Sequence, residues 1–125
     1  MNKRLLIIDD DESILFALRC YFESTGYDVN CARELEEAEA LAACRIYDLA
    51  IVDLSLSVKC STEGLEIIRF ARRHCPSARL IVLTAYATAD IEREAIRRGA
   101  HAFLRKPQAL SEIAAVAAQL LAEVA

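Results

Sequence analysis

Short apolar runs alternate with longer segments of helical periodicity along the whole 125-residue chain, and this alternation restricts the fold more than any other feature. A run such as 5–8 lacks the polar residue at every second position that a half-exposed strand shows, which is typical of a parallel strand covered on both faces. Five strand-then-helix units in succession predict a doubly wound parallel α/β sheet with helices on both faces and right-handed crossovers.

The same pattern gives approximate bounds for the elements. Gly26 and Gly99 are expected to end helices, and another helix must stop before Pro76. The last helix carries one apolar stripe, which packs on the sheet or, in part, against a partner helix. The predicted strands are 5–8, 27–31, 48–52, 79–83 and 100–104, and the predicted helices include 12–24, 34–44 and 89–98. The third helix is outlined by apolar positions from Leu65 onward, and the last by its stripe from Ile113 to Val124.

Composition supports one domain over residues 1–125 and excludes several classes of protein. Apolar residues make up 55% of the chain, which is enough for a proper core. No apolar run is long enough to span a membrane or to form a signal peptide, so a cytoplasmic protein without membrane association is expected. Net charge is −4 and the basic residues are scattered, which argues against direct nucleic-acid binding.

Five cysteines occur without a C-x-x-C pair, which argues against a structural zinc site or a disulfide framework. Most are expected to be small buried hydrophobic residues in a reducing compartment. Cys60 is the exception, because its neighbours indicate an exposed loop.

Polar side chains follow four of the five predicted strands, at the point where each apolar run stops. The acidic run 9–11 follows the first strand, Asp53 the third, Thr84 the fourth and Lys106 the fifth, whereas the second ends near Cys31. In an open parallel sheet, ligands bind beyond the carboxyl ends of the strands. These groups are therefore predicted to line one site.

The charges of these groups favour a divalent metal ion. Neighbouring carboxylates raise one another's pKa unless a cation joins them, and oxygen-rich clusters suit Mg2+ or Mn2+. Asp9, Asp10 and Asp53 carry a charge of −3, which a divalent ion and Lys106 together balance. Such a site is predicted to accept an anion, for which phosphate is the natural candidate.

Within this site Asp53 is predicted to act as a nucleophile and form an aspartyl phosphate. The metal ion and Lys106 are expected to hold the equatorial phosphoryl oxygens. The Thr84 hydroxyl is expected to bond one of these oxygens, and the space left by its movement suits the aromatic ring of Phe103.

Each residue also has an ordinary structural interpretation when it is taken alone. Acidic residues after a strand often cap the next helix, and Asp11 and Glu12 are expected to do so here. An aspartate such as Asp53 is common in turns, and a threonine such as Thr84 is common in strands. The combination at one edge of one sheet favours the functional interpretation.

These residues lie in motifs that resemble those of a known family over essentially the whole chain. The sequence resembles the receiver domains of two-component response regulators. The motifs, in this order and spacing, are LIIDDDE at 6–12, DLAIVDL at 48–54, IVLTA at 81–85, GA at 99–100 and LRKP at 104–107.

The resemblance implies a flavodoxin-like receiver fold with strand order 2-1-3-4-5, and a signalling switch rather than an enzyme with a separate substrate. The domain would catalyse phosphoryl transfer to its own aspartate from a histidine kinase or histidine phosphotransfer protein, and its own dephosphorylation. The surface of helix 4, strand 5 and helix 5 would then signal to an output domain or target protein, or form a homodimer. The implied site residues are Asp53 as phosphoacceptor; Thr84, Lys106 and Phe103 as catalytic and switch residues; and Asp9, Asp10, Asp53 and the backbone carbonyl of Ser55 as Mg2+ ligands.

One segment departs from the pattern of that family. Ser57 stands where most members have proline, and the stretch from Ser57 to Gly64 is about three residues longer than usual. Ser55 and Tyr86 flank the phosphorylation site, where their side chains are expected to tune hydrolysis by admitting or blocking water.

Two other classes of protein compete with this interpretation. A phosphohydrolase of the haloacid dehalogenase type needs a second aspartate two residues after its nucleophile, but Ser55 holds that position after Asp53, and Asp11 after Asp9 lacks the small-residue context. A degenerate receiver that only binds partners is disfavoured by the complete set of acids, threonine and lysine. The chain is either a freestanding regulator or, with a slight preference, an excerpt of a longer protein with an output domain.

Overall fold

The computed structural model describes residues 2–53, 62–85, 88–106 and 108–123, with the backbone alone for residues 62–64. Strands and helices alternate strictly in this part of the chain. The strands are β1 (Arg4–Ile8), β2 (Asp28–Ala32), β3 (Leu49–Asp53), β4 (Arg79–Thr84) and β5 (Ala102–Arg105). The helices are α1 (Glu12–Ser24), α2 (Leu35–Cys44), α3 (Thr62–His74), α4 (Ala89–Arg97) and α5 (Leu110–Ala122).

All neighbouring strands are parallel, and their order in the sheet is β2-β1-β3-β4-β5. This order confirms the predicted doubly wound sheet. Because parallel strands end at the same edge, the residues that close β1, β3, β4 and β5 face one region of space.

Two apolar cores lie on opposite faces of the sheet. Along β3, Leu49 and Ile51 pack in the core shared with α1 and α5, whereas Ala50 and Val52 pack in the core shared with α2, α3 and α4. Every residue of β3 is buried, as expected for a central strand with helices on both faces. The apolar stripe predicted for the last helix is confirmed, since Ile113, Ala117 and Leu120 are its buried residues.

The predicted bounds differ from the observed ones mainly at helix and strand starts. Helices α3 and α5 begin at Thr62 and Leu110, three residues before Leu65 and Ile113, the first apolar positions that outlined them in the sequence. Strand β5 begins at Ala102 instead of residue 100, since the Ala100 N–H still bonds the Ala95 carbonyl at the end of α4.

The cysteine prediction is only partly right. Among the described residues, Cys75 is buried and Cys31 is half-buried, but Cys20 and Cys44 are exposed, and all four are free thiols. The two exposed cysteines lie on the solvent side of α1 and at the last residue of α2. Cys60 lies outside the described residues.

No helix in the described ranges combines the length and apolar character needed to cross a bilayer.

Gly99, which follows α4, supplies the first test of this packing. Its φ of +120° disfavours any side chain, and an added Cβ would lie 2.9 Å from Cγ of Arg72. Arg72 is not free to move away, because its Nη1 donates to the Ala78 carbonyl over 2.9 Å. We therefore expect Gly99→Ala to lower the free energy of unfolding by about 1–3 kcal/mol in urea denaturation.

Gly26 provides the matched control for this substitution. Its φ is +100°, but an added Cβ would have no atom within 4 Å. Gly26→Ala should therefore show the backbone cost alone, and an equal loss of stability in both variants would mean that the Arg72 contact is unimportant.

Candidate functional site

Three carboxylates meet at the carboxyl edge of the sheet, as predicted. Asp9 directly follows β1, Asp53 is the last residue of β3, and Asp10 lies beside Asp9 in the loop to α1. Each offers a carboxylate oxygen, and these oxygens all lie within 4.8 Å of one another. Asp9 and Asp53 are 1% and 2% exposed, whereas Asp10 is open to solvent.

Lys106, which follows β5, places its ammonium group among these acids. Its Nζ lies 2.9 Å from Oδ2 of Asp53 and 3.4 Å from Oδ2 of Asp9. The backbone of Lys106 is also fixed, because its N–H donates to the Thr84 carbonyl over 2.8 Å. The lysine is thus held both by the sheet and by the two buried carboxylates.

The charges in this cluster do not balance within the side chains alone. Burial, together with the nearby charge of Asp53, raises the pKa of Asp9 to about 6, although the Asp11 N–H and the Lys106 ammonium act in the opposite direction. Burial disfavours the charged form of Lys106, but the bonds to Asp53 and Asp9 outweigh it, so the pKa of Lys106 is raised. Among the residues that the structure describes here, one cation therefore serves three acids, and the oxygen-only donor set fits a hard divalent ion.

The loop after β1 is held by Asp11, which caps α1 as predicted. One carboxylate oxygen of Asp11 accepts bonds from the N–H groups of Ser13 (2.9 Å) and Ile14 (3.3 Å). These bonds hold the pKa of the Asp11 carboxyl below its usual range. The Asp11 N–H also donates to Oδ1 of Asp9 over 3.0 Å, so the cap of the helix orients an acid of the cluster.

Arg33 is a charged residue at the carboxyl end of β2 that the sequence pattern missed. Strand β2 ends at Ala32, one residue later than predicted. The polar residue that follows this strand is therefore Arg33. Its Nη1 lies 2.6 Å from Oε1 of Glu12 in the first turn of α1. The sequence does place an acidic residue after the first strand and a basic residue after the second, and this pattern could have indicated the ion pair. Both side chains are well exposed, so the pair contributes little to stability.

The structure brings the two predicted switch residues to neighbouring strands. Thr84 is the last residue of β4 and is 1% exposed. Phe103 in β5 pairs in register with Val82, two residues before Thr84, and is partly buried against the core of α2, α3 and α4. Ser55, Tyr86 and the segment 57–61 lie outside the described residues.

An apolar groove of about 460 Å3 opens beside Lys106, between α1 and α5. Ile14 and Leu18 form its α1 side, and Leu110 and Ile113 form its α5 side. The groove thus adjoins the acidic cluster through the lysine that both share.

Known proteins share this sequence pattern. A family model described as "Response regulator receiver domain" matches residues 5–118. The alginate biosynthesis transcriptional regulatory protein AlgB of Pseudomonas aeruginosa is 32% identical over 118 residues, which are 94% of this chain and 26% of that protein. The acid tolerance regulatory protein ActR of Rhizobium meliloti is 35% identical over 94% of this chain and 59% of its own length.

A solved structure extends the similarity to the fold. It is a response regulator protein from Burkholderia pseudomallei with a phosphorylated aspartic acid, calcium ion and citrate. Its TM-score is 0.84 at 33% identity, over 98% of this chain and 71% of that one. The chain spans less than two thirds of AlgB and of ActR, so what it shares with them is one part of a longer protein. The chain belongs to the family of response regulator receiver domains.

Proposed function

We propose that Asp53 accepts a phosphoryl group from the phosphohistidine of a histidine kinase or histidine phosphotransfer protein, in a Mg2+-dependent reaction. The observation that carries this proposal is the 2.9 Å contact between the Lys106 ammonium and the buried Asp53 carboxylate, inside a cluster of three acids. Few structural roles explain two buried carboxylates that share one lysine at the carboxyl edge of a parallel sheet.

The metal ligands in this proposal are the carboxylates of Asp9, Asp10 and Asp53, together with the backbone carbonyl of Ser55. The carboxylate oxygens fit a divalent ion, because they converge within 4.8 Å and lack enough positive charge of their own. When bound, Mg2+ or Mn2+ supplies neutralisation of the charge that develops on the phosphoryl oxygens. The calcium ion in the phosphorylated Burkholderia protein supports a divalent ion as the class of cofactor.

The transfer itself needs only groups of this chain and of the donor. An oxygen of the Asp53 carboxylate forms a bond to phosphorus while the bond from phosphorus to the donor's imidazole nitrogen breaks. Lys106 then exchanges its bond with Asp53 for one with a phosphoryl oxygen, and the Thr84 hydroxyl bonds another. The domain therefore catalyses its own phosphorylation, and hydrolysis of the aspartyl phosphate by water reverses the state.

Phosphorylation is proposed to reach the surface of α4, β5 and α5 through Thr84 and Phe103. These residues lie on the adjacent strands β4 and β5, and Phe103 is only partly buried against the core next to α4. A Thr84 side chain drawn towards the phosphoryl group would leave room for the Phe103 ring to turn inward. The altered surface would contact an output domain, a target protein or a second copy of the domain.

The upstream partner is proposed to approach over the apolar groove between α1 and α5. A donor imidazole must reach Asp53 from the carboxyl edge of the sheet, where this groove opens beside Lys106. Apolar side chains of a kinase would bury the groove and align its phosphohistidine. We also propose that the protein is located in the cytoplasm.

Intact-mass measurement tests this function directly. The protein is incubated with acetyl phosphate and Mg2+, and one phosphoryl adduct is expected. Asp53→Asn should show no adduct because an amide is a poor nucleophile, and a chelator should suppress the adduct in the wild type.

Two outcomes would contradict the proposal. A protein that stays unmodified with every small donor and with phosphorylated kinase would be a binding module without phosphorylation. Steady release of phosphate from many unrelated phosphomonoesters would indicate a phosphohydrolase. Asp28→Asn, which changes an exposed acid at the start of β2, serves as the matched control.

A further inference from the structure

The start of β5 leaves one backbone segment of β4 without a strand on the β5 side, although β3 pairs with it on the other side. The pairing of β4 with β5 begins at Ile81 and Ala102, although β4 itself begins at Arg79. Leu80 therefore precedes the ladder, and in a parallel strand its N–H and C=O both point to the same side. Leu80 is 1% exposed, so water cannot replace a missing strand partner there.

His101 bonds both of these backbone groups. Its own N–H donates to the Leu80 carbonyl over 2.8 Å, and the Leu80 N–H donates to ring atom Nδ1 of His101 over 3.0 Å. The imidazole thus takes the place of a backbone carbonyl that β5 does not supply. Because an N–H donates to it, Nδ1 carries no proton, and the ring is neutral with its proton on Nε2.

We propose that His101 is a positioning residue that fixes the start of β5, and with it Lys106, and that protonation of its ring releases this hold. We call the two bonds between His101 and Leu80 the His101–Leu80 pair. The proposal rests on the role of Lys106 at the phosphorylation site.

The charges around the ring favour the neutral form. Burial lowers the pKa of His101, and the guanidinium groups of Arg72 in α3 and Arg79 in β4 lower it further. Glu123, just after α5, acts in the opposite direction but does not reverse the shift. A proton on Nδ1 would point at the Leu80 N–H, so protonation in acid replaces an attraction with a repulsion.

Lys106 depends on the His101–Leu80 pair because β5 is a short strand at the edge of the sheet. It has four residues, Ala102–Arg105, and β4 is its only strand neighbour among the described residues. The His101–Leu80 pair fastens its start, and the bond from the Lys106 N–H to the Thr84 carbonyl fastens its end. Loss of the bond to Nδ1 leaves only the backbone bond from the His101 N–H at this attachment, which lets the strand shift and moves the Lys106 ammonium relative to Asp53.

Two substitutions separate the hydrogen bond from the titration. In His101→Asn the side-chain Oδ1 stands close to the place of Nδ1 and accepts the same bond, but it does not titrate. His101→Leu fills similar space and accepts nothing. The Leu80 amide should lose protection from hydrogen exchange by about tenfold or more in His101→Leu and keep it in His101→Asn. Ring 15N shifts of the wild type should show the neutral form with its proton on Nε2.

The pH profile of phosphorylation tests the positioning role. At about pH 7.5 the Asn variant should accept phosphate from acetyl phosphate at the wild-type rate, and the Leu variant should be about tenfold slower. Since other groups titrate equally in both proteins, the ratio of wild-type to Asn-variant rates should fall by about threefold once the pH is low enough to protonate the ring, which requires a pH below 6.5 because the pKa of His101 is lowered. His74→Asn, which changes the other histidine of the chain, should leave the wild-type profile unchanged.

The outcomes are distinct from those that test the proposed function. Unchanged Leu80 protection in His101→Leu would overturn the His101–Leu80 pair, whether or not Asp53 is phosphorylated. Lost protection with equal phosphorylation rates in all variants would make His101 purely structural and would overturn its positioning role. No phosphorylation of any variant, including the wild type, would refute both the proposed function and the positioning role, while amide exchange still decides the pair.

Discussion

Replacement of Lys106 by methionine is expected to slow phosphorylation of Asp53 by about 10²–10³-fold at neutral pH. The Lys106 ammonium contacts Asp53 at 2.9 Å, so it already stands where charge develops on the transferred group. Methionine keeps an unbranched side chain of similar length but removes the charge. Time courses of adduct formation with acetyl phosphate and saturating Mg2+, followed by intact mass, measure the rate.

Two further variants make this result specific. Lys3→Met removes a lysine from an exposed position next to β1 and should leave the rate unchanged. Lys106→Arg keeps the charge but replaces a compact ammonium with a planar guanidinium, so an intermediate rate is expected. If Lys106→Met retains a rate within about threefold of the wild type, the lysine does not stabilise the transition state.

Much of the fold follows from the sequence because a parallel sheet covered on both faces demands continuous apolar strands. Runs such as 5–8 and 79–83 are too short for helices and lack the alternation of an exposed sheet, so they permit little else. Their order in the sheet is not contained in that pattern and came from the family resemblance. The starts of α1, α2 and α4 were predicted to within one residue, whereas α3 and α5 begin three residues before the first apolar positions that outlined them.

The positions of the candidate site residues could be predicted from the sequence because the ends of the strands could be predicted. Asp9, Asp53, Thr84 and Lys106 each close or follow a strand, and parallel strands bring their ends together. The bond from the Asp11 N–H to Asp9 depends on how the loop turns, which residue types do not specify. The role of His101 could not be predicted for the same reason, because it arises from a two-residue offset between the start of β4 at Arg79 and the start of its ladder with β5 at Ile81.

The second large effect concerns the pH dependence of stability without metal. The pKa of Asp9 is raised to about 6 in the folded protein, against 3.8 for an aspartate side chain in an unfolded chain. Between these values the folded protein holds a proton that the unfolded chain has lost. The stabilisation from this group is thus complete below about pH 4 and is lost as pH rises through 6. The loss should reach about 3 kcal/mol at pH 7, because each pKa unit corresponds to about 1.4 kcal/mol.

Comparison with Asp9→Asn isolates this contribution from that of every other acid. Asparagine resembles the protonated carboxyl and keeps an oxygen that can accept the Asp11 N–H, but it does not titrate. In chelator, the free energy of unfolding of the variant minus that of the wild type should increase by about 3 kcal/mol from pH 4 to pH 7. Urea denaturation at several pH values measures it, with Asp28→Asn as the exposed control.

Addition of Mg2+ should reverse the destabilisation of the wild type at pH 7. A cation among the carboxylates of Asp9, Asp10 and Asp53 removes the reason for Asp9 to keep its proton. At 100 times its dissociation constant the ion should raise the free energy of unfolding by about 2.7 kcal/mol, with a smaller gain at pH 5 because protons compete. Asp9→Asn should lose most of this gain. A difference between variant and wild type that stays constant from pH 4 to pH 7 would show that Asp9 is ionised normally, and that the acidic cluster is relieved by Lys106 alone.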